Sequence, residues 1–359
     1  MNSTTRRRRR REGRPRKAAP LLMLAVGMFV GGWLGWALSV HYFLASHAKP
    51  KKTNDAHVQQ QEPKALENRN QPHRNISSPW EDLIGALTSK RLNSIAQSMA
   101  LDYQDADPFP HTVIDDLFPP LVLEALLKEI PETILGDNGC HPDHFKCNRA
   151  KPEDYQYHKS SINKEESLGP FTRQVILFMM SNVFLEFLKQ LTGVRGLLAD
   201  PTLGGGGIHF TAPGGKLDLH ADFNAFPGPK LDRRVNVFLF LNPDWPDEYG
   251  GHLELWNADV SQCGQRIAPK LGRLVVFSTS DFSHHGHPKP LAAPPGRVRR
   301  SLALYYYTNG RPKSDCLNGI CPIYAPPEGE GHAQHIHSTL WKKPIGCSDC
   351  LDCPTTKKT

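Results

Sequence analysis

From residue 203 onward the chain reads as a series of short apolar segments separated by turn residues, and this pattern limits the fold more than any other feature. The segments are 217–221, 235–241, 252–256, 274–278 and 302–307. β-Branched and aromatic residues dominate them, and Gly, Pro, Asn and Asp fill the gaps, which is strand-and-turn chemistry. The run Gly204 to Gly207 carries no following Gly-Lys-Ser/Thr and leads into a strand pattern, so it is not a phosphate loop. Upstream the period changes. Residues 111–118 alternate like a strand, and Pro119-Pro120 opens a helix with Leu123, Leu126, Leu127 and Ile130 on one face. Residues 136–167 look irregular. A helix is expected over 170–192, stopped by Gly193. Helices first and about eight short strands after them imply an α+β fold. Its core would be a double-stranded β-helix, or jelly roll, with helices packed on one side.

The N-terminal region is of another kind. Residues 1–17 hold nine basic side chains against Glu12, while the whole chain has a net charge of +7. The remaining residues are thus close to neutral, which argues against a nucleic-acid-binding domain. Residues 18–40 are almost entirely apolar and long enough to cross a bilayer as one helix. Trp33, Trp36 and Tyr42 lie toward its distal end. We read a basic cytoplasmic arm over 1–17 and a transmembrane signal-anchor over 18–40, with the C-terminal bulk on the lumenal side. This makes a single-pass type II protein of the endoplasmic reticulum or Golgi.

Residues 41–107 read as a polar stem with one helix. Ser78-Pro79-Trp80-Glu81 supplies its cap, and it is expected to end before Asp102. Asn75-Ile76-Ser77 is a glycosylation sequon. The eight cysteines are Cys140, Cys147, Cys263, Cys316, Cys321, Cys347, Cys350 and Cys353. In a lumenal chain an even number suggests disulfides, with 140–147 and 316–321 the closest local pairs. Residues 312–359 form a Cys-containing tail, and its His332, His335 and His337 read as solvated.

The chemistry centres on His220-Ala221-Asp222. On an extended backbone residues i and i+2 point to one face, so imidazole and carboxylate can reach one metal ion. A third donor must come from elsewhere, and Ser283-His284-His285-Gly286-His287-Pro288 offers three histidines. Two His and one carboxylate with open positions describe non-haem Fe(II) oxygenase sites. Arg299-Arg300-Ser301 then enters the apolar strand 302–307. Alternation puts Arg299 and Ser301 on one face and Arg300 on the other. A buried guanidinium requires an anion, and its forked donors suit a carboxylate.

Residues 108–311 resemble the 2-oxoglutarate/Fe(II) oxygenase domain of the prolyl 4-hydroxylase superfamily. The ordered motifs are Asp200-Pro201-Thr202, Pro213-Gly214-Gly215, His220-Ala221-Asp222-Phe223-Asn224 and Arg233-Arg234-Val235-Asn236. Leu241-Asn242-Pro243-Asp244-Trp245, Gly250-Gly251-His252-Leu253-Glu254-Leu255-Trp256, the histidine-rich 283–288 segment and Arg299-Arg300-Ser301 follow. The resemblance implies that His220, Asp222 and His285 bind Fe(2+). His285 is favoured over His284 and His287 because the family's histidine directly precedes the glycine. It further implies that Arg299, with Ser301 on its face, holds the C5 carboxylate of 2-oxoglutarate. Relatives often use a tyrosine where this chain has Phe240. His209 reads as an ordinary strand histidine, His252 as structural, and Asn236 as a buried hydrogen-bonding residue.

O2 would be the co-reactant and ascorbate an accessory reductant. The carboxylate ligand favours hydroxylation over halogenation. The implied activity is hydroxylation of a lumenal protein or peptide substrate, foremost peptidyl proline. Another side chain, a glycan or a small molecule is the alternative, and a non-catalytic anchored binding module is the second.

Overall fold

The structure is a computed structural model that describes residues 78–130, 151–222, 225–226 and 231–319, all within the compact unit His73–Thr359. The basic arm, the 18–40 segment, the sequon, Cys140, Cys147, Cys321, Cys347, Cys350, Cys353 and the tail histidines lie outside the described residues. Among the described residues no single helix is long and apolar enough to cross a membrane.

Helix α1 is Pro79–Ala86, and its capping box is complete: Ser78 Oγ accepts from Glu81 N–H and the Glu81 carboxylate accepts from Ser78 N–H. The single stem helix expected here is two helices. Helix α2, Ser89–Gln104, restarts after Leu87 because Thr88 supplies a second cap, its Oγ1 accepting from Arg91 N–H. Strand β1 (His111–Ile114) is shorter than the expected 111–118, since Asp116 takes φ 60 and turns the chain. Helix α3 is Pro120–Glu129 and strand β2 is Gln156–Ile162.

The expected 170–192 helix is also two, α4 (Pro170–Met179) and α5 (Asn182–Thr192), bent by 49°. Ser181 leaves the helical region, with φ -70 and ψ 159, and becomes the N-cap residue of α5 without a side-chain cap hydrogen bond. Gly193, at φ 73, ends α5 in the left-handed region that glycine tolerates. Strands β3 (Leu198–Ala199), β4 (Gly207–His220), β5 (Ala225–Phe226), β6 (Leu231–Phe240) and β7 (Leu253–Trp256) follow. Then come β8 (Cys263–Ile267), β9 (Leu274–Ser278), β10 (His284–His287) and β11 (Arg299–Thr308).

The strands form one curled antiparallel sheet, a half-barrel in the order β1-β9-β6-β11-β4-β10-β7-β8, with β2 paired to β4. This agrees with a jelly-roll core, and alternation along the strands divides its two faces. On the outer face Val235, Val237, Leu239, Leu302, Leu304 and Tyr306 join one buried cluster with Leu92, Val175, Phe184 and Leu188 from the helices. Leu83 and Leu87 belong to that cluster too. The helices expected in a stem therefore pack into the same core as the sheet, and the folded unit begins well before residue 108. On the inner face Phe240, Leu253, Leu255, Val275 and Phe277 form a second cluster.

Strands β2, β8 and β10 had no clear apolar period. Cys263, on β8, is buried and its Sγ donates to Gln265 O at 3.3 Å without forming a disulfide, so it takes no part in the disulfide pattern suggested by the even cysteine count.

Candidate active site

His220 closes β4 and pairs directly with His285 of β10, so the two imidazoles share a face, with ring centroids 4.5 Å apart. Two residues past His220, Asp222 brings its carboxylate between them. Oδ1 lies 3.6 Å from His220 Nε2 and Oδ2 lies 3.4 Å from His285 Nε2. One ligand atom from each of the three falls within 4.8 Å of the others.

The ring nitrogens facing away are also accounted for. His220 Nδ1 is 2.9 Å from Asp218 O and His285 Nδ1 is 3.0 Å from Ser283 O. A carbonyl can only accept, so each Nδ1 donates, and each Nε2 is the nitrogen turned toward Asp222. Burial pushes His285 down to about 4, which keeps the imidazole neutral. Burial alone would raise Asp222, but Arg233 and the two histidines outweigh it and hold the carboxyl well below its usual range. Two imidazoles and one anionic carboxylate fit a divalent, imidazole- and carboxylate-tolerant ion such as Fe(II).

Of the three neighbouring histidines, only His285 joins this group. His284 points to the opposite side of β10. His287 shares the inner side but lies further along the strand, where the register shifts.

The sequence reading identified Asn236 as a buried hydrogen-bonding residue, and its partner is Asp222: Asn236 Nδ2 donates to Oδ2 at 2.6 Å. Arg233 was missed as a functional residue. Its Nη2 lies 3.0 Å from the same oxygen, and its Nε donates to Asn236 Oδ1 at 2.8 Å. Its guanidinium carbon sits 3.4 Å from the Tyr305 ring centroid, a cation–π contact. A charged residue opening a strand that otherwise alternates cleanly is the signal that could have found it.

Arg299 is buried at the start of β11. Its Nε donates to Gly251 O at 2.6 Å, and its guanidinium carbon is 4.9 Å from the Phe240 ring centroid. Among the described residues no carboxylate pairs with it, and burial draws its pKa down to about 9. Ser301, two residues on, is buried on the same inner face and pairs with Phe240 and His209. Arg300 is buried as well, on the other face, where Nη1 donates to Ile130 O at 2.9 Å.

His209 Nε2 lies 3.0 Å from Gly205 O, so it stays a strand residue held by the backbone. His252 Nε2 is 3.3 Å from Asp247 Oδ1 at the Gly250-Gly251 turn, in agreement with a structural role.

Several solved structures are similar to this chain at low identity. A prolyl 4-hydroxylase from Phytophthora capsici is 19% identical, with a TM-score of 0.40, over 62% of this chain and 65% of that one. A Trichoplax adhaerens prolyl hydroxylase, solved with a hypoxia inducible factor oxygen degradation domain peptide, is 15% identical with a TM-score of 0.38. That match covers 61% of this chain and 91% of that one. HygX from Streptomyces hygroscopicus, solved with nickel and 2-oxoglutarate, is 12% identical with a TM-score of 0.37, over 58% of this chain and 86% of that one. No curated protein matches the chain. Residues 206–307 match the profile of the 2OG-Fe(II) oxygenase superfamily, and His220, Asp222, His285, Arg299 and Ser301 all lie within them. The chain carries a 2OG-Fe(II) oxygenase domain and is a 2-oxoglutarate-dependent dioxygenase that uses Fe(II), 2-oxoglutarate and O2.

Proposed function

We propose that this enzyme hydroxylates a C–H bond of a protein or peptide, foremost peptidyl proline, with His220, Asp222 and His285 as the iron ligands and Arg299 and Ser301 at the cosubstrate end. The observation that carries this reading is the pairing of two features on one inner face. A His-Asp-His cluster shares that face with a buried arginine that has no carboxylate partner among the described residues.

Bound iron supplies O2 activation coupled to decarboxylation of 2-oxoglutarate, which yields succinate, CO2 and a hydroxylated product. The chain's own residues do the rest. His220, Asp222 and His285 would hold the ion. Arg233 and Asn236 both engage Asp222 Oδ2, which fixes the carboxylate plane. Arg299 offers a forked donor to the distal carboxylate of the cosubstrate. Phe240, Leu253, Leu255, Val275 and Phe277 line the inner face with apolar surface, and that restricts water.

The test is succinate formation by purified protein given Fe(II) and 2-oxoglutarate, followed by mass spectrometry of proline-containing peptides for gain of one oxygen. Asp222→Ala should abolish turnover with little change in fold. Full turnover in that variant would overturn the ligand assignment. If glycans or small molecules gain oxygen and peptides do not, the substrate alternative replaces the peptide. Binding of 2-oxoglutarate without decarboxylation would favour the non-catalytic module. The proposed lumenal, type II placement rests on residues 1–17 and 18–40. It requires a protease-protected C-terminus in sealed vesicles and glycosylation at Asn75.

A further inference from the structure

Strands β2, β4 and β11 are adjacent and antiparallel, and Lys159, Thr211 and Arg299 stand opposite one another in a single row across them. Directly opposed residues of antiparallel strands project to the same face, with Cβ atoms about 5 Å apart. For this row it is the inner face, because Arg299 packs against Phe240 and Gly251 there. Two long cationic side chains therefore reach into one region from either side of Thr211.

Neither cation of that region has a carboxylate in direct contact. Among the described residues no carboxylate forms an ion pair with Lys159 or Arg299, and nearby Asp222 is already engaged by Arg233 and Asn236. Burial, then repulsion from Arg299, lowers Lys159 to about 8 in spite of the opposing charge of Asp222. His287 faces the same pair. It is 3% exposed, and neither ring nitrogen has a partner among the described residues. Like charges held together at low dielectric are unfavourable until an anion arrives.

We infer that Lys159 is a second binding cation for the cosubstrate, so that the distal carboxylate of 2-oxoglutarate is held between Lys159 and Arg299. The inference rests on the reading that a 2-oxo dicarboxylate binds with its distal end at Arg299.

The test is calorimetric binding, without O2, of 2-oxoglutarate and of 2-oxopentanoate to the Fe(II)-loaded protein. 2-Oxopentanoate keeps the 2-oxo acid end and lacks the distal carboxylate. Lys159→Met should weaken 2-oxoglutarate about tenfold or more and leave 2-oxopentanoate unchanged, and Lys159→Arg should recover most of the affinity. Arg299→Met should weaken 2-oxoglutarate as well.

If Arg299→Met weakens 2-oxoglutarate and Lys159→Met does not, the inference about Lys159 is overturned and the distal-end reading stands. Lys159 would then be free to meet an acidic group of the primary substrate. If Arg299→Met also binds like wild type, the distal-end reading itself falls. Metal-free Lys159→Met should melt at or above wild type, because a repulsive charge is gone. Melting well below wild type would assign the amine a structural role and overturn the proposal.

Discussion

Arg233 Nη2 lies 3.0 Å from Asp222 Oδ2, with the two side chains 2% and 9% exposed. Asn236 reaches the same oxygen and also accepts from Arg233 Nε. The three side chains lock one another, and Asp222 Oδ1 remains turned toward His220.

Arg233→Met would leave that carboxylate buried without its main counter-charge. Such losses destabilise by about 3–5 kcal/mol, and loss of a partner to a metal ligand lowers metal affinity roughly 10- to 100-fold. Asn236→Ala should be milder in stability, about 1–3 kcal/mol. Thermal melts and metal titrations check both variants. Unchanged metal affinity in Arg233→Met would show that Asp222 needs no such support.

Arg299 and Arg300 separate cosubstrate binding from stability. Arg299→Gln should raise the apparent KM for 2-oxoglutarate roughly ten- to a hundredfold, the worth of a charge-assisted, buried contact. Arg300→Gln should leave that KM nearly unchanged and lower the melting temperature, since Arg300 is buried against the end of α3 and bonds Ile130 O. A raised KM in Arg300→Gln alone would invert the two roles.

Gly251 tests the same contact from the other side. Its φ is +68, and an added Cβ would meet Leu291 Cδ2 and Arg299 Cδ, the latter at 2.9 Å, while its carbonyl anchors Arg299 Nε. Gly251→Ala should therefore weaken 2-oxoglutarate binding about as a displaced arginine would, with Arg299 still in place. Wild-type cosubstrate affinity in Gly251→Ala would mean that Arg299 positioning tolerates the clash.

Acid should destabilise the metal-free protein early. Burial lowers His252 and His285 to about 4 and holds His209 and His287 well below their usual value. An unfolded histidine titrates near 6.5, so unfolding takes up protons below that pH. The stability from these neutral rings is complete above about pH 6.5 and is lost as pH falls toward 4. Urea midpoints measured across that window should fall with pH, and a flat profile would contradict neutral burial of these rings.

Local rules carried much of this molecule. Cap chemistry at Ser78 and Glu81, glycine at position 193 and period-two alternation in β6, β9 and β11 are each decided within a few residues, so they were legible without a fold. The same holds for His220 and Asp222 on one face and for Arg299 and Arg300 on opposite faces. Strand β2 was not legible, because its inner positions are Lys159 and Ser161 and it has no apolar alternation to reveal it. The bend between α4 and α5 was missed for a related reason: a continuous apolar stripe across Ser181 reads as one helix.

What the sequence determined by itself is the type and order of most elements and the chemical character of the candidate site, since both follow from neighbouring residues. What only the tertiary structure decided is pairing. Register across β4 and β10 sets His285, rather than His284 or His287, beside His220. The curl of the sheet brings Arg233 of β6 to Asp222, and three adjacent strands align Lys159 with Arg299. These contacts join residues far apart in the chain, and their geometry exists only once backbone hydrogen bonds between strands have fixed which residues stand opposite one another.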